Sequence, residues 1–147
     1  MPMRPRKGFT FVELLFVVAI IAVLVMTAIP SLIGAQRRSR YAKAATDSKT
    51  ATAQAAVYGS DKGRYPTAIG VLRTGGYANV SDFDPWTLAY QLSPPLVAGQ
   101  TPGVSDDLYV FSKGASQVGT YPVPFVADSG LNGSVGYSSV YGAWSGR

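Results

Sequence analysis

The chain contains neither cysteine nor histidine among its 147 residues, and it has few charges, with 13 lysines and arginines against 8 acidic residues. Without cysteine there is no disulfide or thiol chemistry. Without histidine the chain lacks the residue most used for acid–base catalysis and for metal binding. It also has no glycine-rich phosphate loop and no convincing pair of carboxylates. A membrane-tethered enzyme is therefore only a remote alternative.

The formal net charge is +5, but the cations are not spread as a nucleic-acid-binding surface requires. They cluster on either side of a long apolar run, where cations that flank membrane segments are normally found. These cations are Arg4, Arg6 and Lys7 before the run and Arg37, Arg38, Arg40 and Lys43 after it. A nucleic-acid partner is therefore not expected, and anchoring at a membrane surface is the favoured interpretation.

The apolar run from Phe9 to Ile33 is long enough to cross a membrane. At about 1.5 Å per residue it would form a helix of roughly 37 Å, against a hydrocarbon core of about 30 Å. A secretory signal peptide is the competing interpretation, but its apolar core is about 7–15 residues and ends in a cleavage site with small residues. With cations on both sides, their distribution does not decide the orientation of the span.

Glu13 is an acidic residue at the beginning of this run. A charged side chain inside the bilayer costs roughly 2.5–3.5 kcal/mol on insertion scales. Either Glu13 lies near the helix end and reaches the headgroups, or it pairs with a cation inside the membrane. No lysine or arginine lies between Glu13 and Arg37, so such a cation must come from a chain terminus or from another subunit.

The segment Lys7-Gly8-Phe9-Thr10-Phe11-Val12-Glu13-Leu14-Leu15 closely resembles the N-terminus of type IV pilins and pseudopilins. The resemblance implies that a prepilin peptidase cuts between Gly8 and Phe9 and N-methylates Phe9. It also implies that Glu13 is an assembly contact, pairing with the Phe9 amine of a neighbouring subunit. Residues 1–8 would then be a cytoplasmic leader, 9–33 the transmembrane and filament-core part of a helix, and 34–147 the soluble part.

The same resemblance implies where such a chain resides and what it contacts. It would be a single-pass protein of the bacterial inner membrane with a cytoplasmic N-terminus. After assembly it would belong to a helical homo-oligomeric filament, either a periplasmic pseudopilus or an extracellular pilus. The implied partners are the prepilin peptidase, the inner-membrane assembly platform and minor pilins or pseudopilins.

Pro30 interrupts the helical pattern near the end of the apolar run. A proline inside a helix removes one backbone hydrogen bond and crowds the carbonyl four residues earlier. Pro30 is predicted to be a flexible joint in the helix, as the resemblance also implies. Marking the membrane exit is the simpler role, and the two roles are compatible.

The remaining sequence predicts an α+β fold in which the long N-terminal helix packs on a small antiparallel sheet, as in pilins. Residues Ala35 to Tyr58 predict a continuing helix capped by Gly59. Its predicted packing stripe is Tyr41, Ala45, Ser48, Thr52, Ala55 and Tyr58. The strand candidates are Thr87–Leu92, Leu108–Ser112, Pro124–Ala127 and Tyr137–Tyr141, and Gly75-Gly76 and Ser93-Pro94-Pro95 predict loops. The region from Ser129 onward predicts a surface loop followed by a last strand or a frayed tail.

Three stretches resemble the major-pseudopilin branch of type II secretion: Gly63 to Thr67 (GRYPT), Asp84 to Leu92 (DPWTLAYQL) and Tyr109 to Ser116 (YVFSKGAS). The function predicted from these resemblances is a structural subunit of a type II secretion pseudopilus or a type IV pilus-like filament. A type IV pilin with an adhesive, DNA-uptake, motility or electron-transfer role is the alternative. The cysteine-bounded loop of many adhesive pilins cannot form here.

The resemblance to major pseudopilins also implies a calcium site in the loop after Ser112-Lys113-Gly114-Ala115. In this chain the loop continues without a carboxylate until Asp128, whereas calcium takes about six to eight oxygen ligands, usually including carboxylates. Asp106 and Asp107 could approach from the other side of the strand, but adjacent aspartates are more typical of a solvated turn. No metal or other cofactor is predicted.

Overall fold

The computed structural model describes residues 8–103, 107–122, 127 and 133–146. They fall into two compact units, one up to Arg38 and one from Ser39 onward. The helix α1 (Phe11–Lys62) contributes to both units. Its apolar and alanine-rich segments favour a helix, and it is the helix among the described residues that is long and apolar enough to cross a membrane.

The C-terminus of α1 differs from the prediction, and the cap predicted at Gly59 is wrong. The helix continues to Lys62, and Gly63 adopts the left-handed conformation (φ 70°) that commonly ends helices. Gly59 is buried within the helix, where an added Cβ would lie 2.6 Å from the ring of Tyr65. Glycine is therefore needed at position 59 for close packing, which composition alone did not reveal.

Four short antiparallel strands form one sheet in the order β1-β2-β3-β4. The strands are β1 (Gln91–Leu92), β2 (Tyr109–Ser112), β3 (Val135–Ser138) and β4 (Gly142–Ser145). The central register pairs Val110 with Tyr137 and Phe111 with Gly136, and Gly136 in turn pairs with Trp144. The α+β prediction of a long helix with a small antiparallel sheet is confirmed.

The strand boundaries were predicted less well than the fold class. The candidate Thr87–Leu92 is reduced to β1, because the Asp84 carboxylate binds the backbone N–H groups of Trp86 and Leu88 and holds this segment in a turn. The candidate Tyr137–Tyr141 begins too late and runs into the turn before β4. Residues 124–126 of the candidate Pro124–Ala127 lie outside the described residues.

Two short helices complete the second unit: α2 (Ile69–Thr74) and α3 (Pro94–Val97). The prediction of a loop at Ser93-Pro94-Pro95 is wrong for Pro94 and Pro95, which form the first turn of α3. Proline fits there because the first N–H groups of a helix have no partner within the helix. The loop predicted at Gly75-Gly76 is confirmed, with Gly75 capping α2 and Gly76 at φ 76°.

The core lies between residues 39–62 of α1 and one face of the sheet. Small side chains dominate the buried side of the helix, which lets the sheet approach until the Thr52 hydroxyl donates to the Tyr137 carbonyl at 3.2 Å. The predicted stripe is confirmed as core packing, with Ala45 and Tyr58 only partly buried. The buried helix residues are Tyr41, Ala44, Ser48, Ala51, Thr52, Ala55 and Gly59.

The opposite face of the sheet, called the outer face below, carries an aromatic cluster. Trp144 is only 2% exposed and its ring lies 6.0 Å from that of Phe111. Gly136 lies between them, where a Cβ would come within 2.4 Å of Phe111 and 2.6 Å of Trp144. Tyr121, from the segment after β2, covers Trp144 edge-on at 5.2 Å and stacks on Tyr109 at 4.0 Å.

Tyrosine–aspartate hydrogen bonds connect two other segments of the second unit to α1. The Tyr90 hydroxyl donates to Asp47 at 3.2 Å, and the Tyr77 hydroxyl donates to Asp61 at 2.9 Å. Burial first, and then the charge of Asp47 and this hydrogen bond, raise the pKa of Tyr90 above its usual range. The neutral hydroxyl is thus the form that the folded chain favours.

Replacing Tyr90 with phenylalanine should lower the free energy of unfolding at neutral pH. It should also make that free energy fall less steeply as the pH rises above about 10. In the unfolded chain Tyr90 ionises near its usual pKa of about 10, whereas in the folded chain it stays protonated to higher pH. Its contribution is therefore complete below about pH 10 and is lost as the pH rises toward the folded pKa. Urea unfolding of the full chain in detergent, followed from about pH 8 to pH 11, measures this decline. Tyr137→Phe is the matched control, and identical slopes for Tyr90→Phe and the parent chain would contradict the assignment.

Candidate assembly site

The beginning of α1 is fixed by a reciprocal pair of hydrogen bonds between Thr10 and Glu13. The Thr10 hydroxyl oxygen accepts the N–H of Glu13 at 3.3 Å, and Glu13 Oε2 accepts the N–H of Thr10 at 3.2 Å. The Thr10 hydroxyl also lies 3.2 Å from Oε2. This is a capping box, and it places the carboxylate at the positive end of the helix dipole. Glu13 is the only glutamate in the chain.

These contacts engage only one of the two oxygens of the Glu13 carboxylate. All of its hydrogen bonds within the described residues end on Oε2. The second oxygen, Oε1, takes none there. A single subunit therefore offers one oriented carboxylate oxygen that can accept a further donor.

Gly8 and Phe9 lie in non-helical chain immediately before α1. Both residues are exposed, and the Phe9 side chain is 79% exposed. The peptide bond between them is therefore outside the helical hydrogen-bond ladder. Residues 1–7 of the predicted leader lie outside the described residues.

The first part of α1 presents apolar side chains on all sides. Every residue from Phe11 to Ile33 is exposed, and none of the most apolar window is buried. Shallow grooves run along this surface, one of them lined by Phe16, Ile20 and Leu24. Exposed apolar surface of this extent is typical of a segment that lies in lipid or packs against other helices.

Pro30 lies inside α1, and two hydroxyls bond to the backbone next to it. The Thr27 hydroxyl donates to the Leu24 carbonyl at 2.9 Å, and the Ser31 hydroxyl donates to the Ala28 carbonyl at 2.8 Å. Proline cannot donate the backbone bond that the Met26 carbonyl would otherwise accept. The helix around Pro30 thus has one backbone bond fewer than its neighbours, with side-chain bonds on either side.

Two of the three stretches that resemble major pseudopilins are in contact in the second unit. Asp84 is buried, and its carboxylate accepts the N–H groups of Trp86 and Leu88 at 2.9 Å and the Ser112 hydroxyl at 2.6 Å. Ser112 in turn accepts the N–H of Gly114 at 2.9 Å. The Asp-Pro-Trp turn and the Ser-Lys-Gly-Ala loop are therefore one hydrogen-bonded structure.

The side chains around the loop after Ser112-Lys113-Gly114-Ala115 bear on the calcium site that the resemblance implies. No group of three or more acidic side chains suited to a metal occurs among them. Both oxygens of Asp107 already accept hydroxyl donors, from Tyr121 and Ser138, at 2.6 Å each. Asp106 and Asp128 lie outside the described residues.

Sequence reasoning found Glu13 but missed Thr10, although the Thr-x-x-Glu spacing before an apolar run is the signature of a capping box. It also missed the contact between Asp84 and Ser112, which are 28 residues apart. No local pattern predicts a contact over that distance. The aromatic cover supplied by Tyr121 was missed for the same reason.

Comparison with known proteins is consistent with this geometry. Residues 3–29 match the prokaryotic N-terminal methylation motif. The chain is 31% identical to type II secretion system core protein G of Dickeya chrysanthemi over 108 residues, covering 63% of this chain and 71% of that protein. It is 32% identical to the type IV major pilin protein PilA of Myxococcus xanthus over 157 aligned positions, covering 95% of this chain and 66% of that protein. No solved structure matches the chain.

A third relative resembles only a short part of the chain. The type IV wide pilus major component PilA4 of Thermus thermophilus is 54% identical over 37 residues, which is 25% of this chain and 28% of that protein. Together these similarities show that the chain belongs to the type IV pilin and type II secretion pseudopilin family. It is a structural filament subunit, as the sequence predicted. Its relatives are structural proteins rather than enzymes.

Proposed function

We propose that this subunit is cut by a prepilin peptidase between Gly8 and Phe9, and that the new Phe9 amine pairs with Glu13 of a neighbouring subunit. The observation that carries the proposal is the Glu13 carboxylate, whose Oε2 accepts hydrogen bonds from Thr10 while its Oε1 accepts none from the described residues. The exposed, non-helical position of the Gly8–Phe9 bond supports the cleavage step. N-methylation of Phe9 accords with the family motif over residues 3–29.

The energetics of the membrane support the pairing. A carboxylate in hydrocarbon needs a counter-charge, and no lysine or arginine lies between Glu13 and Arg37 in the same chain. The capping box lowers the cost for a single subunit by supplying donors from its own backbone. Assembly then brings a cation to the remaining oxygen, so that pairing sets the register between neighbouring subunits.

The apolar part of α1 would first lie in the inner membrane and then form the filament core. In this arrangement residues 1–8 are a cytoplasmic leader, 9–33 the membrane and core segment, and 34–147 the soluble part outside. Moving the apolar segment from lipid to a helix bundle exchanges one apolar setting for another, so little transfer energy opposes extraction by an assembly platform. The missing backbone bond at Pro30 supports its role as a flexible joint during this transfer.

We place the filament among secretion pseudopili rather than adhesive pili. The hydrogen-bonded unit formed by Asp84 and Ser112 supports this choice, because it joins two stretches that resemble major pseudopilins. A type IV pilin is the second candidate, favoured by the similarity to PilA of Myxococcus xanthus over 95% of this chain. Neither assignment requires the chain to catalyse a reaction.

Electron microscopy and mass spectrometry of sheared surface and periplasmic fractions test this proposal. We expect periplasmic filaments whose subunits begin at methylated Phe9. Gly8→Val should block the cut and leave the leader attached, because the peptidase no longer meets glycine before the scissile bond. The matched control is Gly34→Val, since Gly34 lies in α1 with open space around it and should leave processing unchanged. Filaments built from chains that retain Met1 would refute the pairing, and long external fibres would indicate a pilus.

A further inference from the structure

Asp107 joins three separate parts of the second unit through hydroxyl groups. It precedes β2, and its Oδ2 accepts the hydroxyl of Tyr121, which follows the loop after β2, at 2.6 Å. Its Oδ1 accepts the hydroxyl of Ser138, at the end of β3, at 2.6 Å, with the Ser139 hydroxyl at 3.4 Å. Hydrogen bonds to a charged acceptor at this length are among the stronger ones in proteins. We call Asp107, Tyr121 and Ser138 the hydroxyl clamp.

The Tyr121 end of the clamp is also fixed by packing. Its ring stacks on Tyr109 at 4.0 Å with an interplanar angle of 15°, and it meets the edge of Trp144 at 5.2 Å. Burial, followed by the hydrogen bond and charge of Asp107, raises the pKa of Tyr121 above its usual range. Tyr121 therefore remains a neutral donor in the folded chain across the physiological pH range.

The loop between β2 and Tyr121 uses its own carbonyl oxygens as acceptors. The Lys113 carbonyl accepts the N–H of Gly119 at 3.2 Å, and the Gly114 carbonyl accepts the N–H of Gln117 at 3.1 Å. The Thr120 carbonyl accepts the Ser134 hydroxyl at 2.9 Å. These three carbonyl oxygens are thus each held by a donor from the chain itself, and a calcium ion would need about six to eight oxygen ligands.

We propose that the hydroxyl clamp fixes the segment after β2 in the way a bound cation would, and that folding of this subunit is therefore independent of calcium. Tyr121 and Ser138 supply neutral donors to the carboxylate that a divalent ion would otherwise neutralise. The clamp connects the segment to both β2 and β3, so it holds the aromatic cover on the outer face. This proposal concerns the second unit alone and does not depend on how the filament assembles.

The first arm of the test measures thermal unfolding of the full chain in detergent, with a chelator such as EDTA and with millimolar calcium. We expect the same unfolding midpoint in both conditions and no calcium binding by calorimetry. A midpoint that rises by several degrees with calcium in a saturable manner would overturn the proposal. That outcome would indicate ligands beyond the clamp.

The second arm removes one hydroxyl. Tyr121→Phe keeps the ring but loses the bond to Asp107, and we expect the midpoint to fall by about 5 °C. Proteolysis between residues 113 and 122 should become faster, and calcium should restore neither property. The matched control, Tyr137→Phe, removes a hydroxyl that has no hydrogen bond among the described residues, and should shift the midpoint by less than about 2 °C.

Asp107→Asn provides a second variant should Tyr121→Phe fail to accumulate. It keeps the size of the side chain but removes its charge and one acceptor oxygen, so we expect a similar fall without any calcium response. A Tyr121→Phe chain as stable as its parent, or one rescued by calcium, would overturn the clamp.

Discussion

Replacing Glu13 with glutamine should abolish filament assembly while leaving the subunit folded and inserted in the membrane. Glutamine retains a carbonyl oxygen that can accept the N–H of Thr10, so the capping box and the start of α1 are preserved. It carries no charge, so the Phe9 amine of the next subunit would remain unpaired in an apolar setting. Breaking a buried ion pair costs about 3–5 kcal/mol, which corresponds to roughly two to four orders of magnitude in the association constant of each contact.

Comparing Glu13→Gln with Glu13→Ala separates the two roles of this residue. If pairing with the amine drives assembly, both variants should fail equally in filament yields measured from sheared fractions. Membrane levels of the subunit, measured by immunoblot, should stay normal for Glu13→Gln and show that it is stable. Normal yields with glutamine but not with alanine would mean that the capping box, rather than the charge, is what assembly requires.

Asp84→Ala should produce the largest loss of stability in the second unit. It leaves the half-buried N–H groups of Trp86 and Leu88 and the buried hydroxyl of Ser112 without their acceptor. Unsatisfied buried groups cost about 1–3 kcal/mol each, so the expected loss is about 4 kcal/mol after partial relaxation. The unfolding midpoint of the full chain in detergent should fall by about 10–15 °C.

The neighbouring Asp82 provides the control for this prediction. It forms an ion pair with Arg73 at 2.6 Å, but both side chains are about two-fifths exposed. Exposed pairs contribute about 0–1 kcal/mol, so Asp82→Ala should lower the midpoint by only a few degrees. The unfolding midpoint of Asp84→Asn should lie between those of Asp82→Ala and Asp84→Ala, because the remaining amide oxygen can still accept the backbone N–H groups. Equal midpoints for Asp82→Ala and Asp84→Ala would show that Asp84 does not organise this turn.

The sequence predicted those features of the fold that depend on local pattern. The long helix and its small-residue stripe follow from composition and helical spacing, and both were confirmed. The cap at Gly59 was wrong, because a glycine needed for the close approach of Tyr65 looks the same in sequence as a glycine that ends a helix. The predicted boundaries of the strand candidate Thr87–Leu92 were wrong, because the Asp84 carboxylate accepts backbone N–H groups that a strand would use.

The candidate assembly site was predictable to a similar extent. A lone carboxylate in an apolar run identified Glu13, and its partner Thr10 was available from the capping-box spacing. Cleavage at Gly8, methylation of Phe9 and flexibility at Pro30 remain predictions, since each concerns an event or an assembly beyond a single chain. The adjacent aspartates at 106 and 107 predicted a solvated turn, whereas Asp107 accepts hydroxyl donors that lie 14 and 31 residues away along the chain, beyond the reach of a local pattern.

The tyrosine–aspartate bonds have a consequence for a subunit under mechanical load. Tyr77, Tyr90 and Tyr121 each contribute one hydroxyl–carboxylate contact between separate segments of the second unit. The chain has no cysteine, so none of these segments is held by a covalent cross-link. A subunit whose segments are pulled apart while it is drawn from the bilayer can therefore re-form every one of these attachments unaided, needing neither an oxidant nor an isomerase. Its recovery from deformation should proceed equally well in reducing and in oxidising surroundings.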